Sequence, residues 1–165
     1  LAAIMIYIWF RFEWQYSIAA ILALSHDVIS TIGFFSLTSF EFNLATIAAI
    51  LTIAGYSIND TVVVFDRIRE NFKRYKSWEQ NDIINKSLNE TLSRTVMTSV
   101  TTALALIAIM IFGGSVLRDF AAAMLWGVLI GTYSSIFIAA GALTYVALNR
   151  SGDDIEDVPK PEFEE

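Results

Sequence analysis

The sequence predicts an all-α fold, a polytopic bundle of transmembrane helices. Of the 165 residues, 55% are hydrophobic, and they lie in several blocks that approach 20 residues in length. A helix needs about 20 apolar residues to cross the hydrocarbon core of a bilayer, whereas a soluble core does not require blocks of that length. Basic residues fall mainly between or beside the blocks, as they do in the loops of membrane proteins.

The blocks predict five spans, the first of them truncated. Residues 1–10 are apolar but too short to cross a bilayer, and they begin without Met, so we expect the end of a span whose upstream part is missing. They lack the basic segment and cleavage site of a signal peptide. The predicted order is a truncated span at 1–10, spans at 15–37, 44–65, 88–112 and 120–148, a cytoplasmic loop at 66–87 and an acidic cytoplasmic tail at 149–165.

Local signals set the boundaries of these spans. Ser77 and Gln80 have the spacing of a capping box, which indicates a short helix that starts there and continues into the fourth span. Residues 113–115, Gly-Gly-Ser, are expected to break the helix after the fourth span. The last span is longer than a bilayer requires, which indicates that it is tilted.

Charge placement predicts the orientation. With alternating spans, ten of the eleven basic residues fall on one side of the membrane and only Arg118 on the other. The positive-inside rule therefore places the 66–87 loop and the C-terminus in the cytoplasm. The net charge of −6 comes from the tail, and acids contribute little to this rule.

Several classes of function lack support in the sequence. The chain has no cysteine and a single histidine, so thiolate metal sites are excluded and a histidine-based site is poorly supported. No phosphate-binding glycine loop or nucleophile motif is present. We therefore expect no enzyme, no cofactor and no metal. The basic residues beside the third span indicate topology and contact with the lipid bilayer rather than nucleic acid.

Asp60 is the main candidate for a functional residue, because a charge inside a span is costly unless it faces a partner or water. It lies six residues before Asp66, or about 9 Å inside the span at 1.5 Å per residue. Arg94 lies six residues inside the next, antiparallel span. The two side chains are thus expected at matching depth, where an ion pair is geometrically reasonable. The alternatives are a helix-capping role for Asp60 and an Arg94 that extends to the membrane surface.

Other polar residues predict a seam around this pair. Ser57 and Tyr56 precede Asp60 by three and four residues, and Thr98 and Thr101 follow Arg94 by four and seven. Their hydroxyls could hold water or relay a proton, or could bond their own helix backbone. Asn59, His26 and Asp27 are further candidates, the last two as a proton path or a buried structural pair. Gly127, Gly131 and Ser135 have the spacing of a close helix contact.

One long motif resembles a known family. The run GYSINDTVVVFDRIREN at residues 55–71 resembles the signature of the SecF family, within the SecD/SecF group of the RND superfamily. Shorter matches are FRFEW at residues 10–14, the His26-Asp27 pair, LNETLSRT at residues 88–95 and FGG at residues 112–114. The resemblance covers nearly the whole chain apart from the tail.

The resemblance implies an RND-transporter-like half in which this chain supplies the second to sixth of six spans. It implies a subunit of the Sec preprotein translocase in the bacterial inner membrane that couples the proton-motive force to export. The implied partners are SecD, the SecYEG translocon and a preprotein bound by a missing periplasmic domain, with YajC and YidC as further candidates. It also implies that Asp60 and Arg94 are proton-path residues and that SecD contributes another acid.

Two other functions remain open from the residues. One is half of an RND-type small-molecule efflux transporter, which a large upstream docking domain would reveal. The other is a scaffold on the translocon that transports nothing, which wild-type export after replacement of Asp60 and Arg94 would favour. An intramembrane aspartyl protease is disfavoured, because the residues around Asp27 and Asp60 do not match the motifs of those enzymes.

Overall fold

The computed structural model describes residues 14–38 and 44–146, and all regular structure within them is helical. The helices are α1 Trp14–Thr38, α2 Leu44–Arg74, α3 Gln80–Phe112, α4 Gly114–Tyr133 and α5 Ala140–Thr144, with a π-helical segment at Ser134–Ala139 between α4 and α5. Four stretches are long and apolar enough to cross a membrane: Trp14–Thr38, Leu44–Arg74, Gln80–Phe112 and Leu117–Thr144. The predicted all-helical membrane bundle is confirmed. The truncated span at 1–10 and the tail at 149–165 lie outside the described residues.

The segment predicted as a cytoplasmic loop, 66–87, is mostly helical, so the helices extend beyond the spans predicted from hydropathy. α2 continues to Arg74 and α3 begins at Gln80, so only five residues connect them. The extension of α2 is amphipathic: Phe65, Ile68 and Phe72 recur at helical spacing and are buried in the core. α2 and α3 are therefore longer than the predicted spans.

The start of α3 also differs from the prediction. Its N-cap is Glu79 rather than the predicted Ser77, and Glu79 makes no side-chain capping bond. The expected continuation into the fourth span does occur, because α3 runs without a break to Phe112. The break after α3 is a single residue, Gly113, and Gly114 follows with a φ of +72°, a conformation that favours glycine.

α2 occupies the centre of the described bundle, where it packs against α1, α3, α4 and the π-helical segment. One hydrophobic cluster joins α1, α2, the start of α3 and α5, and a second joins α1, α2, α3 and α4. α3 is the most exposed long helix. The functional candidates on α2 therefore face neighbours on several sides.

The short connection between α2 and α3 is anchored to the end of the bundle. The Gln80 side-chain amide donates hydrogen bonds to the carbonyl oxygens of Leu143 and Val146, at 2.7 and 2.8 Å. These carbonyls lie where α5 ends, and a helix end leaves carbonyl groups that need donors from outside the regular helix. Tyr75 and Trp78 of the connection are buried beside them in the core. The start of α3 and the end of the last helix are thus held together.

Candidate functional site

Asp60 is buried in the middle of α2, with 9% of its surface exposed. The Thr95 hydroxyl of α3 donates a hydrogen bond to its Oδ1 at 3.0 Å. The other carboxyl oxygen, Oδ2, is also buried and has no hydrogen-bond partner among the described residues. Nearly all buried polar groups in native structures have a hydrogen-bond partner. A carboxyl group in a span with one buried oxygen lacking a partner therefore indicates a functional site.

Arg94 lies beside Asp60 but does not form the predicted ion pair with it in the described part of the chain. Consecutive residues of a helix point about 100° apart. Thr95 takes the inward position on α3, and Arg94 is consequently turned to the exposed surface. The bond from Thr95 still shows that the two helices meet at the depth of Asp60.

Arg94 lines a groove of about 320 Å³ between α2 and α3. Other charged groups in this groove are already paired: Arg67 donates to Glu90 and to Glu70, each at 2.7 Å. Asn71 donates to the same Glu90 carboxylate at 2.8 Å. The groove is therefore an organised polar surface that continues from the level of Asp60 towards the α2–α3 connection.

Asp27 of α1 has a completely buried side chain whose two carboxyl oxygens both have hydrogen-bond partners. Its Oδ2 accepts hydrogen bonds from the Ser57 hydroxyl of α2 and, at 2.8 Å, from the Ser134 hydroxyl of the π-helical segment. Its Oδ1 lies 3.1 Å from His26 Nδ1. Of the two roles that the sequence leaves open, a proton path and a buried structural pair, these bonds favour a structural role, since Asp27 joins three parts of the fold.

The π-helical segment presents two consecutive hydroxyls to two different partners. Ser134 donates to Asp27, whereas Ser135 lies 3.0 Å from the Thr61 hydroxyl of α2. Both serines are fully buried. Single π-helical turns occur frequently at functional sites, because they change which side chains a helix presents. Here the turn connects Asp27 with the residue that follows Asp60.

The predicted polar seam is only partly assembled. Ser57 is buried but bonds Asp27 rather than Asp60, while Asn59 is exposed. Thr98 is exposed and its hydroxyl bonds the Thr95 carbonyl of its own helix, which is the intrahelical alternative. Tyr56 does reach across to α3, with 3.5 Å between its hydroxyl and that of Thr102. The exposed members lie on the outer surface at the α2–α3 seam.

The small residues of α4 make the close contact that their spacing predicts. Gly127 lies against the Ile53 side chain of α2, and Gly131 lies against Ser57, with 3.1 Å between a Cβ built at Gly131 and the Ser57 Cβ. Small residues at this spacing let helix backbones approach. The contact brings α4 and the π-helical segment close enough for the serines to reach α1 and α2.

Sequence reasoning missed Thr95, Ser134 and Thr61 as members of the site. The prediction was based on the charge of Arg94 and did not include its neighbour Thr95. Thr91, Thr95 and Ser99 are spaced four residues apart, which places them on one polar face of α3. The adjacent pair Ser134-Ser135 in an otherwise apolar stretch was a usable signal, but Ser135 was interpreted only as a packing residue. A π-helical turn has no reliable sequence signature, so the partners of the two serines were not predictable.

The chain matches a known protein family over most of its length. Residues 1–149 match the family model described as protein export membrane protein SecD/SecF, C-terminal. The chain is 55% identical over 148 residues to protein translocase subunit SecF of Rhodobacter capsulatus, a match that covers 90% of this chain and 44% of that protein. It is 56% identical over 146 residues to the same subunit of Rickettsia bellii, covering 88% and 48%. The chain thus spans about half the length of these relatives.

Solved structures show the same similarity. The crystal structure of SecDF in its super-membrane-facing form matches with a TM-score of 0.81 and 52% identity, over 84% of this chain and 19% of that one. The crystal structure of SecDF from Thermus thermophilus, a translocon-associated membrane protein, matches with a TM-score of 0.81 and 51% identity, over 85% and 20%. The resemblance inferred from residues 55–71 is confirmed, and the chain belongs to the SecD/SecF family of protein export membrane proteins.

Proposed function

We propose that this chain is the membrane part of a SecF-like translocase subunit that couples proton movement across the bacterial inner membrane to protein export. The observation that carries the proposal is Asp60, a buried acid in a membrane span whose Oδ2 lacks a partner among the described residues. A proton on that oxygen, or a polar group from a partner subunit, would complete the site. The similarity to translocase subunits favours export over small-molecule efflux.

A SecD-like subunit is the proposed partner at the α2–α3 seam. Arg94, Asn59 and Thr98 are exposed there, although polar side chains facing lipid within a span are costly. A carboxylate on a partner helix would accept hydrogen bonds from the Arg94 guanidinium and would lie near the Asp60 carboxyl group. Protonation of Asp60 would weaken its attraction for Arg94 and so change how the two subunits pack. The SecYEG translocon, a preprotein, YajC and YidC remain further proposed partners.

The proposed orientation places the α2–α3 connection in the cytoplasm. The placement follows from the positive-inside rule. When the spans alternate in direction, ten of the eleven basic residues fall on one side of the membrane. Labelling of single cysteines in intact cells and in inverted vesicles tests this placement, and the absence of native cysteine makes each introduced thiol unique in the chain. Labelling of Asn81→Cys by a reagent outside intact cells would contradict the proposed orientation and indicate the opposite one.

The decisive experiment uses the full-length subunit with its SecD-like partner in proteoliposomes. Asp60→Asn keeps the shape of the side chain but prevents gain and loss of a proton, so we expect proton flux and export driven by the proton-motive force to fall to background. Asp119→Asn, an exposed acid at the start of α4, is the matched control and should retain both. Normal flux and export in Asp60→Asn would overturn the proposed function and favour a scaffold that transports nothing.

A further inference from the structure

We propose that Asp27 is a positioning residue for Asp60: as a hydrogen-bond acceptor shared by three elements, it fixes the rotation of α2 that presents Asp60 to Thr95. This inference rests on the proposed function of Asp60. Asp27 lies on α1 and does not contact Asp60 itself, so it would act through α2 and the π-helical segment.

The bonds of Asp27 account for both of its carboxyl oxygens. Oδ2 accepts from Ser57 and Ser134, and Oδ1 faces His26 Nδ1 at 3.1 Å. Within residues 14–38 and 44–146, no Lys or Arg is ion-paired with Asp27, and His26 is the titratable group that faces it. The elements packed against it from other sides contribute hydroxyl groups. A completely buried acid with this set of donors is placed to hold its neighbours in one arrangement.

The hydrogen bonds of this network reach α2 on both sides of Asp60, at Ser57 and at Thr61. Ser57 precedes Asp60 by three residues, so its bond to Asp27 fixes the turn of α2 that leads into the site. Thr61 follows Asp60 directly, and its hydroxyl lies 3.0 Å from that of Ser135. Because Ser134 and Ser135 are adjacent, one π-helical turn links Asp27 to the far side of Asp60. The carboxyl group of Asp60 is thereby directed towards α3.

The chemistry of the side chain separates positioning from proton transfer. An asparagine at position 27 can accept from both serine hydroxyls with its amide oxygen and can donate to His26 with its amide nitrogen. It therefore preserves the hydrogen-bonded hub but cannot exchange a proton. A leucine, which has the same number and branching of side-chain heavy atoms, removes every acceptor and leaves two serine hydroxyls buried without this partner.

The test measures proton flux in the full complex in proteoliposomes for Asp27→Asn, Asp27→Leu and Thr31→Val. We expect Asp27→Asn to retain the flux and its pH profile, and Asp27→Leu to lower the flux about tenfold, roughly the effect of one buried hydrogen bond on an equilibrium. Thr31→Val is the matched control, because the Thr31 hydroxyl bonds only the Asp27 carbonyl within α1. Loss of flux in Asp27→Asn would show that Asp27 transfers protons and would overturn the positioning role, as would normal flux in Asp27→Leu.

Ser134→Ala gives a variant less prone to misfolding, because it removes one donor and creates little empty volume. We expect it to lower flux, and to have no further effect when combined with Asp27→Leu, since both break the same bond. Additive effects of the two substitutions would contradict the shared role.

A second readout does not depend on the proposed function. A side chain at Gly55, five residues before Asp60 on the same helix, would enter open space, so Gly55→Cys provides a labelling site on α2. Rotation of α2 should change the mobility of a nitroxide spin label attached to this cysteine in the solubilised complex in Asp27→Leu but not in Asp27→Asn. Unchanged label mobility in both would overturn the inference even where Asp60→Asn abolishes flux, whereas normal flux in Asp60→Asn would remove the proposed function alone.

Discussion

Gly127→Ala tests the close packing of α4 on α2, which holds the π-helical segment against the site. A Cβ built at Gly127 would overlap three atoms of the Ile53 side chain, with the Ile53 Cδ1 only 2.5 Å away. Ile53 is buried and β-branched, so its side chain has few rotamers with which to move aside. The added methyl group must therefore separate the two helices or strain the isoleucine.

The expected magnitude follows from two opposing effects. Overpacking of a tight core costs about 1–3 kcal/mol, and the better helix propensity of alanine returns up to about 1 kcal/mol. We expect a net loss of about 1–2 kcal/mol in the free energy of unfolding. Gly33→Ala is the control, because a Cβ there meets nothing within 4 Å and only the propensity effect remains. The two variants should therefore differ by about 2 kcal/mol.

The assay is reversible unfolding of the full-length subunit with its partner in mixed micelles. It measures the denaturant concentration at the midpoint of unfolding. Ile53→Ala alone should also destabilise, by about 2–5 kcal/mol. Combined with Gly127→Ala it should cost at least about 1 kcal/mol less than the sum, because the smaller side chain makes room for the methyl group. Equal midpoints for the two glycine variants, or strict additivity in the double variant, would refute the contact.

Three further predictions concern hydrogen bonds. Thr95→Val should lower proton flux about tenfold by removing the described donor to the buried acid, whereas Thr52→Val, whose hydroxyl bonds only its own helix, should leave flux unchanged in the same assay. Gln80→Leu should lower the free energy of unfolding by about 1–3 kcal/mol, because two carbonyls at the end of the last helix lose their side-chain donor; the exposed neighbour Asn81→Leu should not. Arg67→Gln should cost less than about 1 kcal/mol, and the difference should shrink at high salt, since its ion pairs are partly exposed. A large or salt-independent loss would contradict that interpretation.

Hydropathy and charge were sufficient to predict the helical membrane class, because apolar blocks near 20 residues match the thickness of a bilayer and exceed what a soluble core requires. They were not sufficient for the helix ends. Hydropathy locates the apolar part of a helix, and α2 continues for nine residues beyond the predicted span as an amphipathic helix that ends at Arg74. Ile68 and Phe72 are apolar, buried and four residues apart, which is the spacing of an amphipathic helix. A search for amphipathic periodicity in the polar segment would have found it.

The sequence predicted the charged residues of the candidate site but not its hydroxyl groups or its bonds. Spacing along two antiparallel helices placed Asp60 and Arg94 at one depth, and the Thr95 bond shows that α2 and α3 do meet there. Spacing does not fix the rotation of each helix about its axis. A rotation of about 100°, one residue, decides whether Arg94 or Thr95 faces inward. Such rotation depends on the packing of all neighbouring helices, which one sequence does not specify.

The two buried acids differ in how completely they are satisfied, and this difference assigns them different roles. Both oxygens of Asp27 have partners, so its carboxyl group is held in place by His26, by Ser57 of α2 and by Ser134 of the π-helical segment. Asp60 has one bonded oxygen and one without a partner in the described chain. A proton on Oδ2 would therefore break no hydrogen bond among the described residues. In the proposed mechanism Asp60 gains and loses a proton, which requires that its neighbours stay in place. Ser57 and Thr61 meet that requirement, because they bond the turn of α2 that carries Asp60 to Asp27 and to Ser135 of the π-helical segment.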